Sequence, residues 1–131
     1  MAVANALKPS VLVADDDPLI RTVLRHALEQ KGYSVLDASN GDEAIIVVLN
    51  NDIGLVILDA HMPGPSLQQT IAGLQTNPFT FGPPILVFSG DTALPFDVVD
   101  VADGHLSKPV EVDHFLQMVE NLYTAKKRPR T

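Results

Sequence analysis

The sequence predicts an α/β domain, a five-stranded parallel sheet with helices on both faces. Three observations predict it. Short apolar runs and stretches of helical period alternate five times along the chain. The clearest runs, Val11-Leu12-Val13-Ala14, Leu55-Val56-Ile57-Leu58 and Ile85-Leu86-Val87-Phe88, are apolar throughout, as strands buried on both faces are. Each of these runs ends at a polar residue: Asp15, Asp59 and Ser89 in turn.

The elements follow in order. Val11–Ala14 is the first strand, and Pro18 then stands where the first turn of a helix accepts it. Ile20, Val23, Leu24, Ala27 and Leu28 recur at helical spacing, and Gly32 ends that helix. Val35-Leu36 is a second strand, Asn40-Gly41 a turn, and Ala44 to Leu49 an apolar-rich helix. After the third strand Met62-Pro63-Gly64-Pro65 is a loop, and Ser66 caps a helix carrying Leu67, Ile71 and Leu74. Pro83-Pro84 precedes the fourth strand. Residues 94–102 hold a short fourth helix whose start Pro95 restricts, and His105-Leu106-Ser107 is a short fifth strand. Val112, Phe115, Leu116, Val119 and Leu122 form the apolar stripe of a last helix.

Composition narrows the function classes. The 131 residues contain no cysteine, which excludes disulfides, thiolate catalysis and cysteine-ligated zinc and suits a cytoplasmic setting. No apolar run reaches the ~20 residues that span a bilayer, and residues 1–9 read as a flexible lead rather than a signal peptide. The net charge is −7, yet four of the nine basic residues, Lys126, Lys127, Arg128 and Arg130, lie in the last six positions. The remainder holds five basic against sixteen acidic residues, which argues against a nucleic-acid groove. The basic tail, residues 124–131, is read as a solubilising end or the start of a linker, with an acidic partner, a nucleotide or a membrane as alternatives.

Open α/β sheets bind ligands beyond the carboxyl ends of their strands. There this chain places Asp15 and Asp16, Asp59, Ser89 and, after the fifth strand, Lys108. Crowded carboxylates repel unless a cation intervenes, and an oxygen-only set of this kind suits Mg²⁺. A carboxylate can attack phosphorus, and the developing charge then calls for a metal and nearby donors. Taken singly, each residue reads as an ordinary cap or surface group; the five in this order read as a site.

Here the sequence resembles the receiver domains of bacterial two-component response regulators, CheY-like domains. The resemblance covers residues 10–123 and rests on Val11-Leu12-Val13-Ala14-Asp15-Asp16-Asp17-Pro18, Ala38-Ser39-Asn40-Gly41-Asp42-Glu43-Ala44, Leu55-Val56-Ile57-Leu58-Asp59-Ala60-His61-Met62-Pro63-Gly64, Phe88-Ser89-Gly90 and Leu106-Ser107-Lys108-Pro109. It implies a flavodoxin-like strand order, 2-1-3-4-5. It also implies a phosphoacceptor at Asp59, and Mg²⁺ held by Asp16, Asp59 and the His61 carbonyl, with Asp15 acting through water. Ser89 is implied as the switch hydroxyl and Lys108 as the phosphate-pairing lysine, with Lys108-Pro109 often cis. Asp17 only caps the first helix. The partners implied are a sensor histidine kinase or phosphotransfer protein and an unspecified downstream protein, with a dimer as a further possibility. The domain is a signalling switch rather than an enzyme, assisting only its own phosphorylation and dephosphorylation.

The sequence departs from the family pattern at several points. His105 stands where the family has a rotating Tyr or Phe; it is read as a planar substitute, with a pH-sensitive switch as the alternative. The 19-residue step from Ser89 to Lys108 is shorter than usual, so the fourth helix is expected to be short or displaced, which bears on the usual output and dimerisation face. Leu67 replaces a common glycine, and His61 and Asp91 occupy positions that tune dephosphorylation in the family. With only residues 124–131 beyond the last helix, no DNA-binding domain is expected in this chain. A pseudo-receiver or ligand-binding module independent of phosphate is the alternative function. A phosphatase-type hydrolase ranks lower, because His61 replaces its second acid, and a flavin-binding version lower still.

Overall fold

The computed structural model describes residues 8–75, 82–90 and 102–125. Among them are five strands, β1 (Ser10–Ala14), β2 (Val35–Ala38), β3 (Ile53–Asp59), β4 (Ile85–Ser89) and β5 (Gly104–Ser107), and four helices, α1 (Pro18–Gln30), α2 (Gly41–Asn50), α3 (Leu67–Leu74) and α4 (Val112–Thr124). The strands form one parallel sheet in the order β2-β1-β3-β4-β5, the flavodoxin-like arrangement expected. The short helix expected in residues 94–102 falls almost wholly outside the described residues, as do Asp91 and the basic positions of the tail.

Strand side chains alternate between faces, so one apolar run feeds two cores. Val11 and Val13 of β1, Leu55 and Ile57 of β3, and Leu86 and Phe88 of β4 pack under α1 and α4, against Leu24, Leu28, Phe115 and Val119. Leu12, Ala14, Val56, Leu58, Ile85 and Val87 point the other way, onto Ala44 of α2 and Ile71 and Leu74 of α3. Each fully buried Leu, Ile, Val or Phe is worth about 1.5–3 kcal/mol. Phe88 and Phe115 meet edge to face, ring centroids 6.0 Å apart.

The helix boundaries follow from side-chain chemistry. Asp17 caps α1 by accepting from the Leu19 amide at 2.9 Å, and Pro18 occupies the first helical position. Past its C-cap, Lys31, Gly32 takes a φ of +91°, open to glycine at little cost. Ser66 and Gln69 form a reciprocal capping box, so α3 begins cleanly at Leu67 in spite of the missing glycine.

Two expectations are corrected. Asn40-Gly41 is no turn: the Asn40 side chain accepts from the Glu43 amide at 2.8 Å and starts α2, so the helix begins at Gly41 rather than Ala44. Val23 and Val112, counted in the apolar stripes, are 49% and 43% exposed, because α1 and α4 carry more apolar surface than the sheet covers. No described helix is long and apolar enough to cross a membrane.

Candidate functional site

The sheet brings the ends of β1, β3, β4 and β5 side by side, and the chemistry collects there. Asp15 directly follows β1, Asp59 ends β3, Ser89 ends β4, and Lys108 directly follows β5. Backbone bonds lock this edge. The Asp15 amide donates to the Ala38 carbonyl at 3.0 Å, Ala60 to Phe88 at 2.8 Å, and Lys108 to Ser89 at 2.8 Å. The Lys108–Pro109 peptide is cis.

The side chains converge on this frame. Lys108 Nζ lies 3.3 Å from Asp15 Oδ2 and 3.3 Å from Asp59 Oδ1, bridging the two carboxylates. Carboxylate oxygens of Asp15, Asp16 and Asp59 all fall within 4.8 Å of one another. Asp15, Asp59 and Ser89 are buried, at 2%, 5% and 3% exposure, whereas Asp16 faces solvent. The other oxygen of Asp15, Oδ1, accepts from the Asp17 amide at 2.9 Å, and Asp59 Oδ1 accepts from the His61 amide at 3.2 Å. The Lys108 ammonium sits 5.9 Å from the Phe88 ring centroid, so the buried ring gives the cation a floor.

Electrostatics show what the pocket lacks. Burial raises the Asp59 carboxyl above its ordinary value; Asp15 pushes the same way, against the His61 amide and Lys108. Burial pulls Lys108 down, but Asp59 and Asp15 outweigh it and leave the ammonium above its usual value. Three carboxylates face one ammonium, a formal deficit of two positive charges. A divalent cation matches that deficit, and an all-oxygen donor set suits the hard divalent ions, Mg²⁺ among them.

Of the site residues expected from the sequence, Asp15, Asp16, Asp59 and Lys108 are brought together in the pocket, Ser89 is buried at the end of the adjacent strand, and His61 stands at the rim with its amide on Asp59. His105 is exposed on β5, its Cα paired with Val87. The sequence reading missed Arg21, whose Nη1 donates to the Asp15 carbonyl at 2.6 Å. The one signal available was a cation close behind the N-terminal turn of a helix, where the macrodipole disfavours it.

The fold and the acid pocket define a CheY-like receiver. The response regulator receiver domain family matches residues 11–120, and this chain belongs to that family. It is 31% identical over 122 residues to the autoinducer 1 sensor kinase/phosphatase LuxN of Vibrio campbellii, covering 89% of this chain and 14% of that protein. Against the nitrate/nitrite response regulator protein homolog of Haemophilus influenzae it is 32% identical over 118 residues, covering 88% of this chain and 57% of that one. The chain thus spans well under two thirds of the length of either relative. Among solved structures, response regulator TrrA of Thermotoga maritima, in complex with Mg²⁺-BeF, superposes with a TM-score of 0.77 at 29% identity, covering 87% of this chain and 98% of that one. The chain is accordingly a receiver domain of two-component response regulators, a class whose work is phosphoacceptor signalling.

Proposed function

We propose that Asp59 accepts a phosphoryl group from the phosphohistidine of a sensor histidine kinase or phosphotransfer protein, with Mg²⁺ held by Asp16, Asp59 and the His61 carbonyl directly and by Asp15 through water. The observation that carries the reading is the Lys108 ammonium bridging Asp15 and Asp59, 3.3 Å from each, beside a third carboxylate. The Mg²⁺-BeF complex of the related TrrA supports the same reading.

The residues divide the work. An Asp59 oxygen attacks phosphorus, the P–N bond of the donor breaks, and an acyl phosphate forms. Lys108, already beside Asp59, pairs with the added negative charge. Ser89, at the end of the neighbouring strand, donates its hydroxyl to a phosphoryl oxygen. The His61 amide holds Asp59 by donating to its Oδ1 at 3.2 Å. Mg²⁺, when bound, supplies the positive charge that lets a dianion rest among carboxylates. The new contacts exist only in the modified state, so they shift a two-state equilibrium read by a downstream protein. Beyond promoting its own phosphorylation and dephosphorylation, the domain carries out no turnover. Its limits are proposed as residues 10–123, with a lead before and a basic tail after, in a cytoplasmic setting.

Acetyl phosphate with Mg²⁺ tests the reading. The natural chain takes up one acid-stable, hydroxylamine-labile label, and Asp59→Asn takes up none. Equal labelling of both chains, or labelling of neither, refutes it.

A further inference from the structure

Arg21 is the fourth residue of α1, where a cation opposes the helix dipole, and the first turn carries no acid to offset it. Its side chain is nonetheless only 20% exposed. Two contacts fix the guanidinium: Nη1 donates to the Asp15 carbonyl oxygen at 2.6 Å, and Nε lies 3.8 Å from Asp37 Oδ2 on β2. Asp37 is itself held by Arg25, which also donates to the Val35 carbonyl at 3.1 Å. Asp15 thus spends its amide on β2 and its carbonyl on α1.

The Asp15 carbonyl belongs to the peptide plane that joins Asp15 to Asp16. That plane is rigid, so a charged donor fixed on its oxygen sets the rotation of the whole unit. The two carboxylates flanking it take their relative aim from that rotation. We infer that Arg21 is a positioning residue for the acidic pocket: by clamping the Asp15–Asp16 peptide it keeps both carboxylates convergent on Asp59, and so sets the affinity for a divalent cation. The inference rests on the phosphoacceptor reading for what the pocket serves.

The sign of one measurement separates this role from simple charge. As a bare cation near the pocket, Arg21 would repel Mg²⁺, and its removal would tighten binding. As a clamp, its removal weakens binding. Arg25 supplies the control, since it shares Asp37 and ties α1 to β2, but its bonds go to Glu29, Val35 and Asp37.

The experiment titrates MgCl₂ into the full natural chain, Arg21→Gln, Arg21→Lys and Arg25→Gln by calorimetry. Carbonyl and amide NMR spectra of the metal-free proteins are recorded beside it. Loss of a group that orients a ligand weakens metal binding about tenfold or more, and Arg21→Gln is expected to do so. Arg21→Lys, which still offers one N–H to the carbonyl, recovers part of that loss and serves if the Gln variant folds poorly. Arg25→Gln leaves the affinity within about twofold of the natural chain, outside the range that loss of an orienting group produces. The Asp15 carbonyl resonance moves in the Arg21 variants and stays in place in Arg25→Gln. Unchanged or tighter Mg²⁺ binding in Arg21→Gln, or equal weakening by the Arg21 and Arg25 variants, overturns the inference and leaves the phosphoacceptor reading standing. A natural chain that takes up no Mg²⁺ sinks both.

Discussion

Replacing the proposed phosphoacceptor should stabilise the metal-free protein. Asp59 Oδ1 gains about 5 kcal/mol from Lys108 at 3.3 Å, taking an effective dielectric near 20. Asp15, with a carboxylate oxygen no farther than 4.8 Å, returns at least about 3.5 kcal/mol of repulsion on the same scale. Asp16 is exposed and adds a weak push of the same sign. Attraction and repulsion nearly cancel, so the cost of burying the Asp59 charge at 5% exposure is left to decide, which is why burial raises its pKa. Asp59→Asn removes that cost, keeps an oxygen for the His61 amide, and leaves Lys108 with Asp15. The expected gain at pH 7.5 is about 1–2 kcal/mol, or a Tm rise of roughly 4–8 °C in a domain of this size.

The pH dependence has a definite sign. A carboxyl whose folded pKa lies above its unfolded value lets the folded state hold the proton more tightly. The natural chain therefore loses stability as the pH climbs from the ordinary value of 3.8 through the raised folded value, and bears the full cost above it. Thermal unfolding of both chains in EDTA should show the Asn variant ahead at pH 7.5 and level with the natural chain below pH 3.8. Mg²⁺ at about 100 times its Kd adds about 2.7 kcal/mol to the natural chain and less to the variant, narrowing or inverting the gap. A variant less stable at pH 7.5 without metal, or a gap that ignores pH, would refute the reasoning.

Other sites yield shorter tests. Lys108→Ala leaves two buried carboxylates unpaired and should cost about 2–4 kcal/mol in chemical denaturation, with Mg²⁺ restoring part of it; a loss that metal does not touch would place the lysine's role elsewhere. Ser66→Ala removes half of the α3 capping box and should lower stability by about 1 kcal/mol in urea titrations. Gly41→Ala drives a Cβ to 2.9 Å from Pro65 Cγ and still closer to the Thr70 side chain, so a cost of about 1–3 kcal/mol is expected from the same titrations. Phe88→Ala should cost about 3–5 kcal/mol by opening a cavity under Phe115 and should also loosen the floor beneath Lys108, seen as a slower rate of labelling.

The strands were legible because a two-face-buried strand is written as an unbroken apolar run, and β1, β3 and β4 are such runs. The pocket was legible because its acids stand at the ends of those runs. Asn40 was misread because Asn-Gly marks a turn as readily as a cap; only the Glu43 amide, reached in three dimensions, tells them apart. Arg21 escaped because its partner is a backbone oxygen, and every residue has one. Val23 and Val112 obey helical periodicity yet face outward, since periodicity finds a stripe and not the width of the surface that covers it.

The bond from Lys108 to Asp15 closes a stretch of 93 residues. Joining ends so far apart is an entropic cost met only when the intervening strands have paired. A chain still emerging from synthesis would hold all three aspartates long before it held their counter-ion, and no excised fragment ending before position 108 would own both. Competence for the chemistry is therefore a property of the finished molecule, and uptake of label doubles as a count of chains that have folded to completion.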